Sequence, residues 1–180
     1  MSKTILIGSP NSGKSLLFNR LTGLNQKVAN FPGITVNIST GKSLAHPSNE
    51  FLDFPGAYSL QTISGEEKIA VDAFYAALKD PEINTVVCVV DVTRLEKGLI
   101  FALQVINACA EHHKPLIIAA NMIDVLEQHS MNMDIAGLGK ALGVPVVAVS
   151  AKSGSGLNQL QDAVIDHRDL PTAYSSDIIA

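Results

Sequence analysis

Residues 8–15 read Gly-Ser-Pro-Asn-Ser-Gly-Lys-Ser, two glycines bracketing four residues with a lysine and a hydroxyl directly after. Gly8 and Gly13 permit a tight turn whose amide hydrogens converge, and a helix starting there adds the positive end of its dipole, so phosphate oxygens are the fitting ligand. Lys14 then reaches the β and γ phosphates of a nucleoside triphosphate. The Ser15 hydroxyl is a ligand for Mg²⁺, a hard cation that prefers oxygen. Ser9, Pro10, Asn11 and Ser12 supply the rest of the cradle, and Leu16 follows it. The competing explanation, an ordinary glycine turn, calls for neither a strand before the string nor a helix after it.

Three further strings suit the same ligand. Asp-Phe-Pro-Gly at 53–56 offers Asp53, which can hold the metal through water, and Gly56, whose amide can face a γ phosphate. Taken alone, Asp53 would pass for a strand-end cap. Asn-Met-Ile-Asp at 121–124 and Ser-Ala-Lys at 150–152 each follow an apolar run. The Asp124 carboxylate can accept from both N1–H and the exocyclic amine of guanine, and the Ala151 amide can donate to O6. Adenine presents the opposite polarity, and a site whose buried polar groups need such partners rejects the wrong base by roughly 10⁴ or more. Asn121 would tie this end to the phosphate loop, and Lys152 would lay its stem along the ring. As isolated residues, Asn121 and Ser150 also suit satisfied turns; the specificity lies in four strings in this order.

The elements needed to position them are legible in the apolar pattern. Residues 3–7 read as a strand, 15–21 as a helix closed by Gly23, and 24–35, without periodicity and punctuated by Pro32-Gly33, as a loop. Residues 36–44 and 50–54 read as an antiparallel pair around the polar turn 46–49. Ala70, Ala73, Phe74, Ala77 and Leu78 share one helical face, as do Leu95, Leu99, Leu103, Ile106 and Ala110. Residues 85–90, 116–120 and 144–149 are continuous apolar runs, the mark of strands buried on both faces, while 135–142 and the stripe Leu157, Leu160, Val164 are helical. Strands alternating with helices predict an α/β, three-layer sandwich around a mostly parallel sheet, and the Gly-x-x-x-x-Gly-Lys-Ser string between its first strand and helix is that of a P-loop NTPase fold. Its sheet is expected to have six mostly parallel strands, one of them antiparallel. The domain is expected to span 1–166, with 167–180 a frayed tail or linker.

Composition narrows the field. With 180 residues, 47% hydrophobic and 17% charged, the chain suits one domain, and a net charge of −4 provides no broad basic surface for nucleic acid. The longest apolar runs fall well short of the roughly 18 residues a bilayer span needs, so no direct membrane insertion is expected of this segment. The first ten residues carry one lysine and turn at a glycine, unlike a secretory signal. Cys88 and Cys109 lack metal-ligand spacing and are too few for a disulfide framework, which points to a reduced, cytosolic setting. Glu66 and Glu67 suit the first turn of a helix, His112 and His113 the end of one, and Asp91 a cap.

The phosphate loop, Asp-Phe-Pro-Gly-Ala-Tyr-Ser-Leu at 53–60, Asn-Phe-Pro-Gly-Ile-Thr-Val at 30–36, and Asn-Met-Ile-Asp in place of the commoner Asn-Lys-x-Asp together resemble the N-terminal GTPase domain of the bacterial ferrous iron transport protein B family, from residue 1 to about 166. Met122 departs from the generic GTPase pattern but agrees with this family, and Ser9 stands where the family often has asparagine. The resemblance implies GTP binding and hydrolysis with Mg²⁺ and stimulation by K⁺. It implies that Thr35, in a loop with Gly33 and Ile34 at the nucleotide, is a second Mg²⁺ ligand drawn in only when a γ phosphate is present. It also implies that Asn11, with carbonyls of residues 29–33, holds K⁺. Asn11, Lys14, Thr35 and Gly56 are thus the expected catalytic set, although Asn11 also suits a turn before Gly13, and Thr35 the start of a strand. Ala57 follows Gly56 where the small-GTPase template has a water-orienting glutamine, and residues 24–35 contain no arginine finger. The family continues into helical regulatory and transmembrane parts at the cytoplasmic face of the bacterial inner membrane. These would be the partners, and this segment alone is not expected to move iron. The same motifs would also serve a soluble GTPase of ribosome assembly or tRNA modification, a GTP sensor with negligible turnover, or, with the base contacts absent, an ATP-binding protein.

Overall fold

The order along the chain is β1 (Ser2–Gly8), α1 (Lys14–Thr22), β2 (Gln26–Asn30), β3 (Asn37–Lys42), β4 (Asn49–Asp53), α2 (Gly65–Leu78), β5 (Ile83–Asp91), a 3-10 turn (Val92–Arg94), α3 (Leu95–Glu111), β6 (Leu116–Asn121), α4 (Ile123–Gln128), α5 (Ile135–Leu142), β7 (Val146–Ala148) and α6 (Leu157–Asp166). This is a computed structural model describing residues 1–24, 26–31, 36–61 and 65–174. The strands form one sheet in the order β2-β3-β4-β1-β5-β6-β7. β1 lies parallel between β4 and β5, β6 and β7 continue the parallel run, and β3 is antiparallel to both β4 and β2.

Alternation along the central strands divides the core in two. Ile5, Ile7, Val86, Cys88, Val90, Leu116 and Ile118 face one side, where Phe74 and Leu78 of α2, Phe101, Val105 and Ile106 of α3, and Leu142 of α5 cover them. Leu6, Val87, Val89, Ile117 and Ala119 face the other, under Leu17, Phe18 and Leu21 of α1 and Leu160 and Val164 of α6. Apolar residues at every position of these strands are thus accounted for by burial on both faces. The predicted three layers are present, and every parallel strand ends at the same edge of the sheet.

The sheet has seven strands, not the expected six. The additional one is β2, within the segment that reads as a loop; it pairs with β3 from Gln26 opposite Gly41 to Asn30 opposite Asn37. All five of its residues are exposed. An edge strand that buries neither face leaves no apolar alternation, so its backbone pairing is invisible to a pattern that reports burial. A second difference is α4, a short helix with no buried residue, hidden for the same reason. The third is the tail. Within 167–180, expected to be a frayed tail or a linker, one described residue is anchored to the domain: the Tyr174 amide donates to Asn107 Oδ1 at 2.6 Å, Asn107 Nδ2 donates to the Tyr174 carbonyl at 2.9 Å, and the Tyr174 hydroxyl donates to the Ala141 carbonyl at 3.0 Å.

Both cysteines are buried in the α2/α3 core. Burial pushes the Cys88 thiol up to about 12 and raises that of Cys109 well above its ordinary value. Thiolate is the reactive form. Native protein is therefore expected to leave both cysteines unmodified by a thiol reagent such as DTNB at neutral pH, with both reacting after unfolding in urea; rapid labelling of the native chain would contradict this burial.

Candidate nucleotide site

β1 ends at Gly8 and α1 begins at Lys14, so the glycine-rich string is the turn between them. Two of its residues have left-handed backbone, Asn11 at φ 68° and Gly13 at φ 85°. Asparagine tolerates that region better than most side chains. Gly13 is required for a second reason: a Cβ there would strike Asn121 Nδ2. The Ser12 amide donates to the Ser9 carbonyl at 3.1 Å, closing the turn. Among the described residues, Ser12 Oγ is the buried side-chain polar atom without a hydrogen-bond partner. Ser9, Pro10, Asn11, Gly13, Lys14, Ser15 and Leu16, together with Gly56, surround a cavity of about 300 Å³.

The register of β1 with β4 brings the second string to this cavity. Leu6 is opposite Asp53, and the Phe54 amide donates to the Leu6 carbonyl at 3.1 Å. The Lys14 ammonium and the Asp53 carboxylate form an ion pair, with side chains 10% and 17% exposed. A Cβ on Gly56 would lie 2.9 Å from the Gly8 carbonyl oxygen and 3.2 Å from the Pro10 nitrogen, so the close approach of the two turns depends on glycine. Ala57 is buried. Beyond it, the Tyr58 amide donates to Glu67 Oε1 at 2.9 Å and the Leu60 amide to Gln104 Oε1 at 2.7 Å, fixing the segment to α2 and α3. Glu67 therefore does more than complement a helix dipole, and neither contact has a local signature in the sequence. Phe31 packs edge-on against Phe54 with ring centroids 5.9 Å apart, joining the end of the β2 segment to the same turn. Gly33, Ile34 and Thr35 lie outside the described residues.

At the other end, Asn121 is the buried link. Its Nδ2 donates to the Ser12 carbonyl at 3.0 Å, and its Oδ1 accepts from the Ala151 amide at 3.1 Å. The Ala151 amide, expected to await a base oxygen, thus already has a partner within the protein. Met122 adopts φ 69° as the residue before α4, and its Cε is 3.5 Å from where a Gly13 Cβ would sit. Asp124 lies in the first turn of α4, half-buried. Ser150 is buried and closes the following loop: its amide donates to the Ser155 carbonyl at 2.9 Å, its carbonyl accepts from the Gly154 amide at 2.8 Å, and its Oγ accepts from the Ser153 amide at 3.0 Å. Lys152 is exposed. Arg20, absent from every motif, donates from Nε to the Ala151 carbonyl at 2.8 Å and from Nη2 to the Lys152 carbonyl at 2.6 Å.

Two clusters result, one of phosphate-loop residues with Asp53 and Gly56, the other of Asn121, Met122, Ser150 and Ala151, joined through Asn121. The sequence model of the family described as Ferrous iron transport protein B matches residues 2–164. The chain belongs to this family. It is 41% identical to the Fe(2+) transporter FeoB of Leptospira biflexa over 157 residues, 87% of this chain and 22% of that protein. It therefore spans about a fifth of the length of the curated relatives it matches. Among solved structures it resembles S. thermophilus NFeoB bound to GDP·AlF4− and K⁺, with a TM-score of 0.78, 38% identity, and coverage of 98% of this chain and 68% of that one. A variant of NFeoB bound to mGDP superimposes with a TM-score of 0.81 at 37% identity, covering 99% of this chain and 68% of the other. The fold is thus that of the FeoB G domain. No helix among the described residues is long and apolar enough to cross a membrane.

Truncating Asn121 would leave two buried backbone groups, the Ser12 carbonyl and the Ala151 amide, without their partner. Asn121→Ala is expected to cost about 2–4 kcal/mol of stability, measured by urea unfolding of the nucleotide-free chain; an unchanged midpoint would show that the bridge is not formed in solution.

Proposed function

We propose that this segment binds GTP with Mg²⁺, hydrolyses it with help from K⁺, and acts as the nucleotide switch of a ferrous iron transporter at the cytoplasmic face of the bacterial inner membrane. Its partners would be the helical regulatory and transmembrane parts of the transporter. The observation that carries the reading is the Asn121 bridge, which makes the phosphate loop and the Ser150–Ala151 loop two ends of one site. Family membership and the GDP·AlF4− and K⁺ complex of NFeoB support it.

The donor set fits the metals. Ser15 offers an exposed hydroxyl and Asp53 a carboxylate held beside the phosphate loop by Lys14, oxygen ligands of the kind Mg²⁺ takes directly or through water. Thr35 would be the second hydroxyl. Asn11, exposed at the cavity, and backbone carbonyls of residues 29–33 are neutral oxygen donors suited to K⁺. Bound there, the two cations would offset charge on the β and γ phosphates, as an arginine finger does elsewhere.

Within the protein, Lys14 exchanges its Asp53 partner for the β and γ phosphate oxygens. The amides of Ser9 to Leu16 cradle the phosphates at the start of α1. The Gly56 amide donates to the γ phosphate, and displacement of that turn passes to α2 and α3 through Tyr58–Glu67 and Leu60–Gln104. Gly33 and Ile34 would line the nucleotide beside Thr35. At the base, Asp124 accepts from the guanine edge, the Ala151 amide is shared between Asn121 Oδ1 and O6, and Met122 and Lys152 cover the ring.

Two measurements test this. Calorimetry should show GTP binding with ATP weaker by about 10⁴, and Asp124→Ala should remove most of that preference; equal affinity for both nucleotides in the unaltered chain would exclude a guanine site. Hydrolysis under single-turnover conditions should slow at least about tenfold when K⁺ is replaced by Na⁺, and Asn11→Ala should abolish the difference. A rate indifferent to the cation would remove K⁺ from the mechanism, and absence of any turnover would leave a GTP sensor.

A further inference from the structure

We infer that Arg20 is a positioning residue that clamps the 150–156 loop to the phosphate-binding helix and thereby sets how long a guanine nucleotide remains bound. This rests on the proposed guanine site at Asp124 and Ala151. The bonds within the loop, from Ser150 to Ser153, Gly154 and Ser155, give it a shape but do not fix where it lies. Burial of Val149 and Ala151 in the core beside α1 and α6 places its start, and Asn121 and Arg20 are the side chains that hold it by hydrogen bonds. Asn121 holds one side of Ala151 through the amide, and Arg20 holds the other through the Ala151 and Lys152 carbonyls at 2.8 and 2.6 Å.

A guanidinium presents its donors in a rigid planar fork that holds two successive carbonyls in one fixed geometry, whereas a lysine ammonium is a compact charge on a flexible stem with no such preset spacing. The origin of that fork matters as much as its target. Arg20 stands six residues beyond Lys14 on α1, roughly 9 Å along the helix at 1.5 Å per residue. One rigid element therefore cradles the phosphates with its first turn and holds the base loop with its last. Arg20 is exposed and lies in the last turn of α1, where any cation would suit the helix dipole. That contribution survives in lysine, whereas the fork does not, and this separates the clamp from simple helix stabilisation.

The test is stopped-flow release of fluorescent mant-GDP from the 180-residue chain, comparing Arg20→Ala and Arg20→Lys with the unaltered protein. Loss of two charge-assisted hydrogen bonds at a partly exposed site should speed release about three- to tenfold in Arg20→Ala, with Arg20→Lys much closer to alanine than to arginine. Single-turnover hydrolysis by the loaded complex, which takes place at the far end of the nucleotide, should move much less. Release at the original rate in both variants would overturn the clamp. So would full rescue by lysine, which would reduce Arg20 to a helix-end charge, and so would equal changes in release and hydrolysis, the mark of general loosening. Asp124→Ala, measured alongside, separates the two readings. If GTP preference is lost there while release is indifferent to Arg20, only the clamp fails; if the preference survives, the guanine site and the clamp fall together.

Discussion

The site depends on one buried carboxamide. Asn121 ends β6 and spends its donor on the phosphate loop that follows β1 and its acceptor on the loop that follows β7. Both partners are backbone groups of turns, the second of which Arg20 also ties to α1. A carboxamide suits this task because it offers a donor and an acceptor in one plane, and in a buried setting each unmet group would carry the full cost of desolvation. Gly13 is shaped by the same contact, since any side chain there would displace the Asn121 nitrogen. The loop sequence and the bridging residue are thus one steric solution.

The sheet makes that solution possible. Its parallel strands are buried on both faces, which forces helices onto both sides and sends every strand-to-helix connection out at the same edge. Phosphate loop, Asp53 turn, Asn121 turn and Ser150 loop all emerge there. The one reversed strand, β3, carries the chain away from that edge so that β4 can run back to it parallel to β1 and deliver Asp53 beside Lys14. Opposite charges meeting in a partly buried place hold each other there; in the proposed complex a triphosphate would take the lysine and a cation the carboxylate. The same edge carries the contacts through which a change at Gly56 would reach α2 and α3, by way of Glu67 and Gln104.

The family connection and the chemistry support each other without being the same statement. Membership fixes the fold and its relatives, while the residue chemistry is the ground on which the proposed guanine and phosphate contacts rest. Ala57, buried beside the Asp53 turn, leaves no side chain to orient water from that position. The charge and geometry needed for hydrolysis must come from other groups, and this is the physical reason Asn11 and a monovalent cation carry so much of the proposed mechanism.

Much of this is legible in the order of the amino acids alone. Apolar runs mark the buried strands and helical stripes because burial on a periodic element writes itself into composition, and the four strings carry their chemistry in local residue types and spacing. What tertiary structure alone decides falls into two kinds. β2 and α4 bury nothing, so they leave no pattern to find. Arg20, Glu67, Gln104 and Tyr174 act through a few hydrogen bonds to groups elsewhere in the chain, Arg20 across 131 residues. Such a bond imposes no repeat on the sequence, because any exposed arginine reads the same until the fold brings a pair of carbonyls beneath it.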